Sequence, residues 1–289
     1  MRPGLPIRKK PLGKRLREHF GTIVGFIMAF VFLAPMIWVF LSSFKNPREA
    51  VTPPIPPWPT EGISFGTYET LNSFGEGLFV HAMNSVIVAL GTAGFTICVS
   101  TLAGYGFSRF NFKYKNLAFG LIMCTMMIPF QSILTPLFFI LTRIGLQNTL
   151  IGLVLVYTTL QLPFSVFMMR NSFDAVPAEI EEAARIDGCS TMKLFGLIMI
   201  RLAIPGVVTV GIFAFLTSWN EFLAALILLT NSEKYTLPIL MAAVRTGVMG
   251  GIDWGAVQAG VTVMMLPCLI LFLALQRYYV RGLTAGAVK

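Results

Sequence analysis

Six stretches of about twenty predominantly apolar residues run through this chain, each long enough to cross a lipid bilayer as a helix. They cover residues 20–41, 82–105, 116–141, 149–169, 206–229 and 255–278. Few folds are open to such a chain. Hydrocarbon offers no partner to a backbone N–H or C=O, so a span must satisfy its own hydrogen bonds, and a helix does so. Composition agrees, with only 12% charged residues against about 25% in soluble domains. The expectation is an all-α membrane protein: a basic tail over 1–19, one six-span domain over 20–278, and a short tail over 279–289. The first span follows a basic stretch, as a secretory leader does. Its apolar run is longer than the leader's usual core of about 7–15 residues, and no small-residue cleavage pattern follows, so it reads as an anchor.

The net charge of +9 suggests nucleic acid only if its placement is ignored. Seventeen of the 22 Lys and Arg fall in the N-terminal tail, the 2–3 loop, the segment between spans 4 and 5, and the C-terminal end. Five lie on the opposite side: Lys45, Arg48, Arg143, Lys234 and Arg245. Such a bias orients a membrane protein with its basic loops inside. Both termini are expected in the cytoplasm, the contacts of the basic residues being with membrane and water rather than nucleic acid. Cys98, Cys124, Cys189 and Cys268 have no metal-ligand spacing and read as free thiols. His19 and His81 fall at opposite faces, which removes a shared metal or base site.

Two connecting segments stand out. The external loop 42–81 carries Pro53, Pro54, Pro56, Pro57 and Pro59, which should stiffen it into an extended strap. The loop 170–205, on the cytoplasmic side, reads as a helix, a glycine elbow and a second helix. Pro177 suits the first turn, and Glu179, Glu181 and Glu182 complement the helix dipole. Gly188 stops the helix, Ser190 is placed to cap the next one, and Pro205 precedes span 5. Ile180, Ala183, Ala184 and Asp187 share a face by helical spacing. An acidic helix is poorly suited to an anionic lipid surface. This one is therefore read as a docking element for a protein partner.

The same segment resembles the permeases of ABC importers, whose cytoplasmic signature is Glu-Ala-Ala, three residues, Gly, nine residues, then Ile-x-Leu-Pro. Glu182-Ala183-Ala184, Gly188 and Ile198 fall in register, while Ile200-Arg201 stands where Leu-Pro is usual. Segment 176–188, the run Ser218-Trp219-Asn220-Glu221-Phe222 and the tail 278–289 are similar to the carbohydrate-uptake branch. The tail is similar to the end of the smaller permease of the maltose importer. The resemblance implies a complex of two different permeases, two ATPase subunits and an external solute-binding protein. Glu182, Ala183, Ala184, Asp187 and Gly188 would be the coupling contact with an ATPase. Tyr279, Arg281, Gly282 and Leu283 would be a second. The chain has no G-x-x-x-x-G-K-[ST] phosphate loop, so it is expected to be no enzyme and to bind no cofactor, with ATP and Mg held by the ATPase partners.

Polar residues inside spans usually face a bundle interior or a water path. Glu221 is the one acid within a span, with Asn220 before it; it either offers acceptors along a sugar path or makes a structural hydrogen bond. Gln131, Ser132 and Thr135 lie between Pro129 and Pro136, and Tyr157, Thr158, Thr159 and Gln161 precede Pro163. These groups either line the path or satisfy carbonyls freed by the prolines. Gly91, Gly94 and Gly260 read as points of close helix packing. The competing function is a stand-alone secondary carrier for a small polar solute, which would usually show repeated halves and paired ionisable residues; neither is visible.

Overall fold

The computed structural model describes residues 12–50, 55–246 and 252–284. In chain order its main helices are α1 (Leu12–Ser42), α2 (Leu78–Arg109), α3 (Lys115–Thr125), α4 (Phe130–Arg143), α5 (Leu150–Asp174), α6 (Ala178–Ile186), α7 (Ile204–Asn220), α8 (Leu223–Leu228), α9 (Leu237–Thr246) and α10 (Trp254–Thr284). No strand occurs among the described residues. Four segments are long and apolar enough to cross a bilayer alone: Phe20–Ser42, α2, α5 and Trp254–Gln276. Two more spans exist if each of two bent pairs is one crossing.

Those bent pairs correct the expectation of six unbroken spans. The predicted span over 116–141 is two helices, α3 and α4, meeting at 100°. Proline explains the break. Pro129 has no N–H to give, disfavours helix at Ile128, and stands as the N-terminal flank of α4. The predicted span over 206–229 is likewise interrupted. α7 ends at Asn220, Glu221 is extended (φ −75°, ψ 130°), and α8 restarts at Leu223. On its other side α7 meets Thr191–Leu202 at 74°, and that stretch includes a π-helical turn, Leu194–Met199.

The bundle core is the α2–α5 seam. Thr92, Thr96 and Ser100 recur every fourth residue on α2, are buried, and lead to Gly104. Small side chains at this spacing let two helix backbones approach. At Gly104 an added Cβ would sit 2.5 Å from Met169 Cβ; at Gly91 it would sit 3.0 Å from a Val154 methyl. Gly260 faces the Met241 sulfur in the same way, whereas Gly94 meets nothing within 4 Å. Gly91 and Gly260 therefore pack as expected and Gly94 does not. α7 closes the core, its Trp219 Nε1 donating to Met264 O on α10 at 3.0 Å.

The far end of the bundle is tied by loops. Thr149 Oγ1 caps α5 by accepting from Gly152 N at 3.0 Å. Asn148 Oδ1 accepts from the amides of Thr230 and Asn231 at 3.0 and 3.2 Å, and Lys234 Nζ reaches Asn148 O at 2.8 Å. Asn84 Nδ2 donates to Glu233 O and Tyr235 O at 2.8 and 3.0 Å. The loop after α8 is thus fastened to the α4–α5 turn and to α2. After α1, Ser42 Oγ donates to Pro57 O at 3.0 Å, and Glu49 accepts from both N and Oγ1 of Thr60. Pro53 and Pro54 lie outside the described residues; the rest of the proline segment is lashed back to the end of α1 rather than extended. The apolar part of α1 itself is 0% buried.

Candidate functional site

Both helix breaks open on one cavity of about 590 Å³. The α3–α4 break contributes Thr125, Met126, Ile128 and Phe130; the end of α7 contributes Thr217, Ser218 and Glu221. α2 supplies Thr92, and α5 supplies Tyr157, Thr159, Gln161 and Phe164. Irregular backbone at membrane depth is tolerated where it lines such a space. The wall is mostly apolar, with Met126, Ile128, Phe130, Ile133 and Phe164, and carries a few hydroxyls, the Gln161 amide and the Glu221 carboxylate.

Of the predicted path residues, Tyr157, Gln161 and Glu221 meet here. Gln131 and Asn220 do not: both are exposed off the cavity wall, and Asn220 Nδ2 donates to Leu216 O in its own helix at 2.8 Å. The reason is the bend. Once the chain turns at Pro129, the first turn of α4 points Gln131 elsewhere, and Asn220 lies on the opposite flank of α7 from Ser218. Glu221 has a definite structural task. Its Oε1 accepts from Leu223 N and Ala224 N at 2.8 and 3.1 Å. Its Oε2 accepts from Ala224 N and Ala225 N at 3.1 and 3.3 Å, and from the Tyr157 hydroxyl. The carboxylate satisfies the orphan amides that open α8, so the hydrogen-bond reading of Glu221 is the one its geometry supports. Thr159, one of the residues before Pro163, lines the cavity with Tyr157 and Gln161, whereas Thr158 is buried off it; Thr125 went unnoticed in the sequence, its only signal being position beside a break.

At the other end of the bundle α6 stands on the ends of α2 and α5. It begins after Pro177 and stops at Gly188, whose φ of +77° suits glycine. Ser190 flanks the next helix, but its side chain makes no capping bond. The shared face predicted for α6 is divided. Ala184 is buried against the chain's own core with Tyr105, Phe173 and Leu194, alongside Glu181. Ala184 therefore offers no outward contact, because α6 needs an apolar side of its own to sit on the bundle. Glu182, Ala183, Asp187 and Gly188 point to solvent. Ile186, absent from the predicted set, is 85% exposed, and Met192 is 77% exposed. Tyr279, Arg281, Gly282 and Leu283 belong to the last turns of α10, which continues to Thr284; their side chains lie outside the described residues. Among the described residues no three His, Cys, Asp or Glu side chains gather as metal ligands.

Fold and site together define a class: a helical membrane protein whose interrupted spans line a half-open cavity, with a short exposed helix at one end. The chain belongs to the family described as "Binding-protein-dependent transport system inner membrane component", whose profile matches residues 96–285. It is 33% identical to the probable ABC transporter permease protein YurM of Bacillus subtilis, over 99% of this chain and 93% of that protein. It is 34% identical to the sulfoquinovosyl glycerol transport system permease protein SmoH of Agrobacterium fabrum, over 93% and 94%. The diacetylchitobiose uptake system permease protein DasC of Streptomyces coelicolor is 31% identical over 97% and 99%. The fold matches a chain of a bacterial ABC transporter involved in the import of the acidic polysaccharide alginate, with a TM-score of 0.78, 20% identity, and coverage of 94% and 99%.

Proposed function

We propose that this chain is a transmembrane permease subunit of an ATP-driven importer for a sugar or oligosaccharide. The observation that carries the reading is the convergence of both helix breaks on one cavity lined by Phe130, Tyr157, Phe164, threonine hydroxyls and Gln161. Aromatic faces match the apolar faces of a pyranose, and hydroxyl and amide groups match its oxygens. Relatives that act on a sulfoquinovosyl glycerol and on diacetylchitobiose support a carbohydrate. Tyr157 and Gln161 line this half of the path, and Glu221 holds its wall.

The distribution of Lys and Arg puts the α6 end, and with it both termini, in the cytoplasm. There Glu182, Ala183, Asp187 and Gly188 form the contact for an ATPase subunit, with Ile186 as its apolar anchor, and the end of α10 gives a second contact. Ala184 acts from beneath, seating α6 on the bundle. The complex includes a second, different permease, two ATPase subunits that hold ATP and Mg, and an external solute-binding protein.

The test is purification of a tagged chain followed by reconstitution. Recovery of an ATPase and a second permease, with uptake of diacetylchitobiose or a related glycoside that requires ATP, is the expected result. Uptake by the chain alone without ATP would instead establish the stand-alone carrier.

A further inference from the structure

We propose that Arg109 is the positioning residue that fastens α6 to the bundle, making α2 and α5 the receivers of any motion imposed on that helix. The proposal rests on the reading of α6 as the ATPase contact. Arg109 is the last residue of α2. Its Nη2 donates to Phe173 O in the last turn of α5 and to Val176 O in the linker to α6, at 2.7 and 2.6 Å; Phe173 O also accepts from Val176 N. Its Nε stands 3.4 Å from Glu181 Oε2 on α6. One guanidinium thus touches three helices: two hydrogen bonds reach the end of α5 and the linker after it, and a charge contact that is not a hydrogen bond reaches α6. The pair is sheltered, with the Arg109 and Glu181 side chains 14% and 10% exposed. Arg185 also pairs with Glu181 at 2.9 Å but is itself 58% exposed, so it contributes less.

α6 also rests against the Leu194–Met199 turn. Its buried residues are Glu181 and Ala184, and Ala184 sits in a cluster with Val176, Leu194 and Cys189. At its far end Gly188 leads onward with nothing within 4 Å of where a Cβ would be. A push on α6 is delivered to α2 and α5, whose inner turns border the cavity at Thr92, Tyr157 and Thr159.

The assembled transporter tests this. Thr159→Cys, in a background with the four native cysteines replaced, is labelled with N-ethylmaleimide with and without a non-hydrolysable ATP analogue. The analogue should change the labelling rate about tenfold, a typical coupling between distant sites. In Arg109→Gln, and separately in Glu181→Gln, that change should shrink below about twofold while the ATPases stay bound and still take up the analogue. A merely structural role would lower assembly and basal labelling together and leave the ratio intact. Glu181→Gln leaves the two Arg109–carbonyl bonds in place, so the test survives if Arg109→Gln misfolds. A full response in either correctly assembled variant overturns the clamp. Ile186→Asp separates the two levels: release of the ATPases upholds the docking reading whatever the clamp does. Retention with a full response overturns that reading and this proposal with it.

Discussion

Gly104→Ala probes the seam on which the whole bundle is built. The added Cβ would lie 2.5 Å from Met169 Cβ, 2.8 Å from Arg170 N and 2.9 Å from Met169 C. Carbon atoms rest about 3.5–4.0 Å apart, so α2 and α5 must part by about 1 Å. The obstacles are a Cβ and backbone atoms, and no rotamer change relieves them. A radial gap of that size forfeits a quarter to a half of each neighbouring contact, each worth about 0.1–0.2 kcal/mol. Summed along the seam with residual strain, the cost is about 1–3 kcal/mol, or about five- to 150-fold in the folded ratio. Gly106→Ala is the control, since its Cβ would meet nothing within 4 Å. Both variants share the same helix-propensity gain, so their difference isolates the clash. Reversible unfolding in mixed micelles measures it. Equal midpoints for the two variants would refute the close-packed seam.

Other consequences are as open to measurement. Glu221→Gln removes an oxygen that accepts amide hydrogens of α8 and should cost about 1.5–3 kcal/mol, with uptake and stability falling together; lost uptake at undiminished stability would return Glu221 to the path. Gly188→Val forces a branched residue to φ +77° at about 1–2 kcal/mol. The Cys189 amide, bonded to Ala184 O at 3.0 Å, should then exchange faster while the bundle melts as before; unchanged exchange would contradict the strained turn. At Glu49, burial raises the carboxyl, but the side-chain and backbone bonds from Thr60 and the Lys45 ammonium outweigh it, and the group titrates below its ordinary 4.5. A depressed folded value means that the hook after α1 is fully stabilised above about pH 4.5 and loosens as pH falls through the lower folded value. A carboxyl titration by carbon NMR that places Glu49 at or above its ordinary value would reject that balance.

Hydropathy was sufficient to find where the chain is apolar enough to cross, because span length is a one-dimensional property. It could not tell a straight span from a bent one. Pro129 was a visible warning for the α3–α4 break, whereas the α7–α8 break has neither proline nor glycine. There the chain turns because Glu221 can serve the amides of the restarted helix, a fact that depends on three-dimensional closure. Glycine was ambiguous for the same reason. Gly94 looked as good a packing site as Gly91, and only the facing helix distinguishes them, while Gly104 passed without notice. Arg109 was counted among topology charges; nothing local says that a carbonyl of α5, one of the linker after it and a glutamate of α6 converge on it. The face assigned to α6 failed on Ala184, since helical spacing reveals which residues are neighbours but not which side is turned inward.

A helix divided by Glu221 becomes two parts with different anchorages. The inner part, α7, is locked to α2 and α10 through Trp219 and the packing around it. The outer part, α8 and the loop beyond, is moored by Asn148 and Asn84 to its own neighbours. The rim of the chamber can thus be recast residue by residue, by natural drift or by an engineer seeking a new cargo, while the partition beneath it keeps its shape.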